Sequence, residues 1–90
     1  MIWRVRLTAA ASRGLRQVEK ENPGAARRLV EAIYELQFDP KLDGKLIGRK
    51  TGYKLKFPPY RALYVVHDSG LVKVFRIEKR SPRTYRRGNP

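Results

Sequence analysis

The sequence predicts an α+β domain in which two N-terminal helices pack on one face of a small, antiparallel-rich sheet, in the order β-α-α-β-β-β. Apolar spacing carries the first part of that expectation, changing from period two to the helical period and back to period two along the chain. Turn signals carry the second: Pro58-Pro59 and Asp68-Ser69-Gly70 divide the C-terminal half into short strands. Length and composition carry the third, since 90 residues at 41% hydrophobic content suffice for one two-layer core and leave no room for a second. One domain over residues 1–90 is expected.

Each element has its own local cause. Trp3, Val5 and Leu7 alternate with Arg4 and Arg6, the pattern of a half-buried first strand. Thr8 is placed to cap a helix over residues 9–20, whose Ala11, Leu15 and Val18 share a face while Arg13, Arg16 and Lys20 turn to solvent. Asn22-Pro23 reads as an N-cap followed by proline at the first helical position, where the missing N–H costs nothing. The second helix runs to about residue 36 with Ala26, Leu29, Val30, Ile33 and Leu36 as its apolar stripe, and an antiparallel helical hairpin follows. Residues 38–52, with Pro40, Gly44, Gly48 and Gly52, read as loop. Strands are expected over residues 53–57, 60–67 and 71–78.

Charge points to the partner. The net charge is +13, and it is one-sided. Residues 1–43 hold eight Lys/Arg against six Asp/Glu, whereas residues 44–90 hold thirteen against two, Asp68 and Glu78. Solubility alone asks for a few charges, so the first half reads as scaffold and the second as a surface for a polyanion. With no cysteine in the chain, disulfides, thiolate metal sites and a cysteine nucleophile are excluded. No cluster of His, Asp or Glu has ligand spacing, so neither metal nor small-molecule cofactor is expected. No apolar run approaches the roughly 20 residues of a membrane span, and the N-terminus lacks the apolar stretch of a secretory signal. A soluble cytoplasmic protein with no membrane partner is the expectation.

Parity then selects candidate residues. On the second strand Lys54 and Lys56 share one face and Tyr53, Leu55 and Phe57 the other, so a helix-facing apolar set leaves both lysines on the open side. On the third strand Tyr60 and Tyr64 are expected in the core, and Arg61 places a charge on an otherwise apolar face close to the Pro-Pro turn, near Lys56. His67, the only histidine, is six residues from Arg61, about 20 Å along a strand, and reads as a turn-proximal structural residue. Arg4 and Arg6 belong to the basic surface without a fixed role.

The run Tyr53-Lys54-Leu55-Lys56, then Tyr60-Arg61, then Arg76-Ile77-Glu78-Lys79-Arg80 followed by Tyr85, resembles the RelE/ParE toxin superfamily of type II toxin–antitoxin systems over nearly the whole chain. The resemblance implies the same β-α-α-β-β-β fold and favours the RelE branch, which cleaves messenger RNA in the ribosomal A site. There the 2′-hydroxyl attacks the adjacent phosphorus and the 5′-oxygen leaves, giving a 2′,3′-cyclic phosphate without a metal. Carried over by position, Lys56 is the candidate base, Lys54 and Arg61 stabilise the phosphoryl charge, Arg80 assists the leaving oxygen and Tyr85 stacks on or orients the substrate. Lys45, Lys50, Lys79, Arg83, Arg86 and Arg87 are candidate RNA contacts around them, with Arg83 a substitute for Arg80.

Simple chemistry permits these roles. Crowded cations favour the neutral form of a lysine amine, the form a base needs, and arginine forks match phosphate oxygens in pairs. The sequence departs from the family's usual pattern at Glu78, where many relatives have glycine, at Lys79, where some carry histidine, and between Arg80 and Tyr85, which is one residue longer. The resemblance implies a cognate antitoxin protein and mRNA on the 70S ribosome as partners. Two other activities fit the same scaffold: a ParE-like inhibitor of DNA gyrase that cuts nothing, and a non-catalytic RNA- or ribosome-binding module held by phosphate contacts.

Overall fold

The computed structural model describes residues 2–40 and 52–79. Its elements are β1 (Arg4–Leu7), α1 (Ala9–Glu21), α2 (Pro23–Glu35), β2 (Gly52–Phe57), β3 (Tyr60–His67) and β4 (Leu71–Lys79), in the order the sequence predicts. The caps are the predicted ones. The Thr8 side chain accepts a hydrogen bond from the Ala11 N–H at 3.2 Å, and the Asn22 side chain accepts from the Ala25 N–H at 3.1 Å. Asn22 serves both helices, because its own N–H donates to the Val18 carbonyl at 2.7 Å and extends α1 to Glu21. α2 ends in shorter-range bonds, from the Leu36 N–H to the Ile33 carbonyl and from the Gln37 N–H to the Tyr34 carbonyl, both 3.1 Å.

The sheet order is β1-β4-β3-β2. β2, β3 and β4 are antiparallel neighbours, and β1 lies parallel to β4, so the sheet is mixed. That parallel pairing requires a long connection between β1 and β4, which runs through both helices, covering one face, and then through β2 and β3. β1 is positioned at both ends: the Arg4 N–H donates to the Gly70 carbonyl at 2.8 Å and the Thr8 N–H to the Val74 carbonyl at 2.9 Å. Gly70 has φ 93°, a left-handed conformation that glycine adopts without a steric penalty, and its N–H closes the turn on His67 at 3.0 Å.

Parity sorts the faces as expected up to one point. Tyr60, Ala62, Tyr64 and Val66 of β3 are buried under Ala11, Val18, Ala25, Ala26, Leu29 and Ile33 of the helices. Ala25 takes the core place expected of Val30, which is only partly buried. Tyr64 is fully buried; its hydroxyl donates to the Pro40 carbonyl at 2.6 Å, and its ring stacks on Tyr53 with centroids 5.7 Å apart. On β4 the buried positions run Val72, Val74 and then Ile77, so alternation slips by one residue. The register slips with it: Leu63 faces Arg76 but Tyr64 faces Val74, which makes Phe75 the extra residue of a β-bulge. Its carbonyl accepts a hydrogen bond from the Thr8 hydroxyl at 3.3 Å.

Candidate nucleic-acid interface

The sheet face away from the helices collects cations from all four strands. On β2, Lys54 lies opposite Leu63 and Lys56 directly opposite Arg61. Directly opposed residues have Cβ atoms about 5 Å apart, so Lys56 and Arg61 are immediate neighbours beside the Pro58-Pro59 turn. On β4, the bulge at Phe75 turns Arg76 and Glu78 to this open face, opposite Leu63 and Arg61. Without the bulge, strict alternation from Val72 and Val74 would have sent both into the core. Lys73, opposite Val65, and then Arg4 and Arg6 of β1, opposite Leu71 and Lys73, complete the surface. Among the described residues the open face therefore holds Arg4, Arg6, Lys54, Lys56, Arg61, Lys73 and Arg76 against a single acid, Glu78.

That acid is not passive. Its Oε2 takes both the Nε and an Nη of Arg61, and its Oε1 takes the Nε of Arg76 at 2.8 Å. The three side chains are partly exposed, 24% for Glu78, 40% for Arg61 and 64% for Arg76. Water screens such pairs, so each contributes about 0–1 kcal/mol, little enough for a competing anion to open them. Among the described residues neither Lys54 nor Lys56 is engaged in an ion pair, and both ammonium groups remain available to an incoming anion.

The structure corrects one candidate. Lys79 does not lie past the strand over the basic surface: β4 continues through it, and it pairs with Tyr60 on the helix side. There its Nζ meets Oε1 of Glu21 at 3.5 Å, the same oxygen that accepts from the Tyr60 hydroxyl at 3.4 Å. The cause is the bulge, which shifts the parity of every later β4 residue by one. Lys79 ties the end of β4 to α1 instead of facing the open side.

Lys45, Lys50, Arg80, Arg83, Tyr85, Arg86 and Arg87 lie outside the described residues. Arg76 and Lys73 are open-face cations that the candidate set lacked. The signal for Arg76 was in the sequence, in the shift of apolar positions from Val72 and Val74 to Ile77.

This helical hairpin on a four-stranded sheet recurs among small toxins. A chain of the toxin–antitoxin complex RelBE2 from Mycobacterium tuberculosis is 26% identical, with 89% of this chain and 93% of that one covered at a TM-score of 0.76. The isolated E. coli RelE toxin is 22% identical and matches 96% of this chain and 94% of its own at a TM-score of 0.78. An E. coli RelE mutant in complex with an antitoxin RelB peptide is 21% identical and matches 100% and 97% at 0.80. The two E. coli structures show a shared fold. The family model of the ParE toxin of type II toxin–antitoxin systems, parDE, matches residues 5–83. The chain belongs to that family, within the RelE/ParE superfamily. Among curated protein sequences no relative matches.

Proposed function

We propose that this toxin is a metal-independent endoribonuclease that cleaves messenger RNA on the ribosome, using the open face of the sheet. The observation that carries this reading is the facing pair Lys56 and Arg61, with Lys54 on the same face of β2. A proton acceptor and a phosphate fork thus sit within reach of one phosphodiester. In the proposed reaction Lys56 takes the proton of the 2′-hydroxyl, and the 2′-oxygen bonds to phosphorus. Lys54 and Arg61 neutralise the charge on the non-bridging oxygens. The bond from phosphorus to the 5′-oxygen breaks, and Arg80 supplies the proton to that oxygen while Tyr85 orients the substrate. A 2′,3′-cyclic phosphate and a free 5′-hydroxyl result.

A cognate antitoxin completes the reading. The RelBE2 complex and the RelE–RelB peptide complex support a partner that binds the toxin directly. On this chain, acidic and apolar residues of such a partner would wrap the helices and mask the cationic sheet face, ordering as they bind.

The decisive experiment is primer extension on translating ribosomes with the wild-type chain, Lys56→Ala and Arg61→Ala. New 5′ ends appear with the wild type and vanish with either variant, while thermal unfolding of both stays close to wild type. A second reading, inhibition of DNA gyrase without cleavage, is favoured by the match to the ParE family and by the carboxylate that occupies Arg61. Intact mRNA together with arrested supercoiling by purified gyrase would establish that alternative and dismiss the nuclease.

A further inference from the structure

With the open face taken as the surface that meets nucleic acid, we propose that Arg61 and Arg76 form a two-pronged phosphate site and that Glu78 is its built-in competitor, holding the site closed until a phosphodiester displaces it. The geometry is that of an anion already bound. Glu78 offers two oxygens, and each takes a different guanidinium: Oε2 holds Arg61 and Oε1 holds Arg76. A phosphodiester also presents two non-bridging oxygens carrying one negative charge between them, so it fits the same two forks.

The backbone makes that convergence possible. Arg61 lies opposite Glu78, and Arg76 stands two residues before Glu78 on the same face, as the diagonal neighbour of Arg61. Diagonal positions are about 7–8 Å apart, a span that two arginine side chains close on one small anion. Without the bulge at Phe75, Arg76 would point to the helices and the second prong would be lost.

Exposure supports displacement over a purely structural clasp. Glu78 is the most covered member at 24%, and Arg61 and Arg76 are 40% and 64% exposed, so both arginines remain accessible to an anion from solvent while they hold the carboxylate. Two cations share one negative charge, leaving the cluster net positive and attractive to a further anion. Neighbouring Lys54 and Lys56 add to that field. The consequence is selectivity: the clasp weakens a single phosphate contact several-fold, whereas a strand held elsewhere on the face opens it more readily.

The test uses Glu78→Gln, which removes the charge and keeps the shape, beside Asp68→Asn, which makes the same charge change at the exposed β3–β4 turn. Two probes are titrated: inorganic pyrophosphate, followed through the arginine Nε–H signals in nitrogen-15 spectra, and a 2′-O-methyl RNA oligonucleotide that resists cleavage, followed by fluorescence anisotropy. Glu78→Gln is expected to bind both probes about three- to tenfold more tightly than wild type, against less than twofold for Asp68→Asn. Adding Arg61→Ala and Arg76→Ala to Glu78→Gln erases the gain. The proposal is overturned if Glu78→Gln binds pyrophosphate no better than Asp68→Asn, or more weakly, while its amide spectrum stays native. Tighter pyrophosphate binding without any RNA binding, in wild type or variant, would keep the phosphate site and reject the nucleic-acid reading on which it was built.

Discussion

Gly14 of α1 lies against the backbone of Ile77 on β4 so closely that a Cβ at this position would stand 2.1 Å from the Ile77 carbonyl oxygen. The contact lies at the centre of the helix–sheet interface, between Ala11 and Val18 along the helix and beside the bulge along the strand. Because the obstacle is backbone, it cannot rotate away. Gly14→Ala must lift α1 from β4, and a loss of about 3 kcal/mol is expected, enough to lower the melting temperature by more than about 10 °C. Gly24→Ala on α2 supplies the opposite sign. A Cβ there meets only the Asn22 Oδ1, at 3.7 Å, so the gain in helix propensity is expected to raise stability by about 0.5 kcal/mol. Calorimetry on the two variants checks both directions.

Asn22 joins α1 to α2 by itself, closing one helix with its N–H and opening the next with its side chain. Asn22→Ala removes the side-chain acceptor and leaves the Ala25 N–H without its cap, at a cost of about 1 kcal/mol. Asn22→Asp keeps the acceptor and stays within a few tenths of wild type. Urea unfolding distinguishes them as a shift in midpoint at constant slope.

Tyr64→Phe tests the buried hydrogen bond to the Pro40 carbonyl. The ring and its stack on Tyr53 survive the change, whereas the buried carbonyl loses the hydroxyl donor. The expected loss is about 1–2 kcal/mol, read as a lower urea midpoint. Tyr53→Leu removes the stacking partner and keeps the hydrogen bond, so the two variants together separate the ring's contribution from the hydroxyl's.

Much of the fold was legible because local and global preferences agree. Thr8, Asn22-Pro23, Pro58-Pro59 and Asp68-Ser69-Gly70 each act within a few residues, and each marks a boundary where the structure has one. Alternation on β2 placed Lys54 and Lys56 on the open face, because an apolar set turned to a helix layer leaves one choice of side, whereas on β3, apolar on both faces, it was the nearby Pro58-Pro59 turn that brought Arg61 to Lys56. Plain alternation breaks on β4, where one residue is inserted. At Phe75 parity changes, so Lys79 goes to the helices and Arg76 to the open face, contrary to what plain alternation from Leu71 implies. The parallel pairing of β1 with β4 was equally hidden, since it joins residues nearly seventy positions apart through the register Arg4 with Leu71. Nor does helical periodicity reveal that Gly14 is pressed against a carbonyl and not merely small.

If the open face cleaves RNA as proposed, its layout separates the residues assigned to the chemistry from those assigned to hold the strand. Lys54, Lys56 and Arg61 lie together at the turn end of β2 and β3, whereas Arg4, Arg6 and Lys73 lie across the sheet on β1 and β4. Phosphate contacts away from the reacting bond contribute affinity without sequence or chemistry. Arg4→Ala and Arg6→Ala are therefore expected to weaken RNA binding, each flattening the dependence of affinity on salt by about 0.7 in the log–log slope, while cleavage at saturating substrate persists. Lys56→Ala is expected to abolish cleavage with a similarly small change in slope. Lys79→Ala is the control for the corrected position: facing Glu21 on the helix side, it should alter neither slope nor cleavage and cost less than about 0.5 kcal/mol of stability. Were Lys79→Ala to steepen or flatten the salt dependence as Arg4→Ala does, the assignment of the two faces past the bulge would be wrong, because a lysine held on the helix side does not touch a strand lying on the open one.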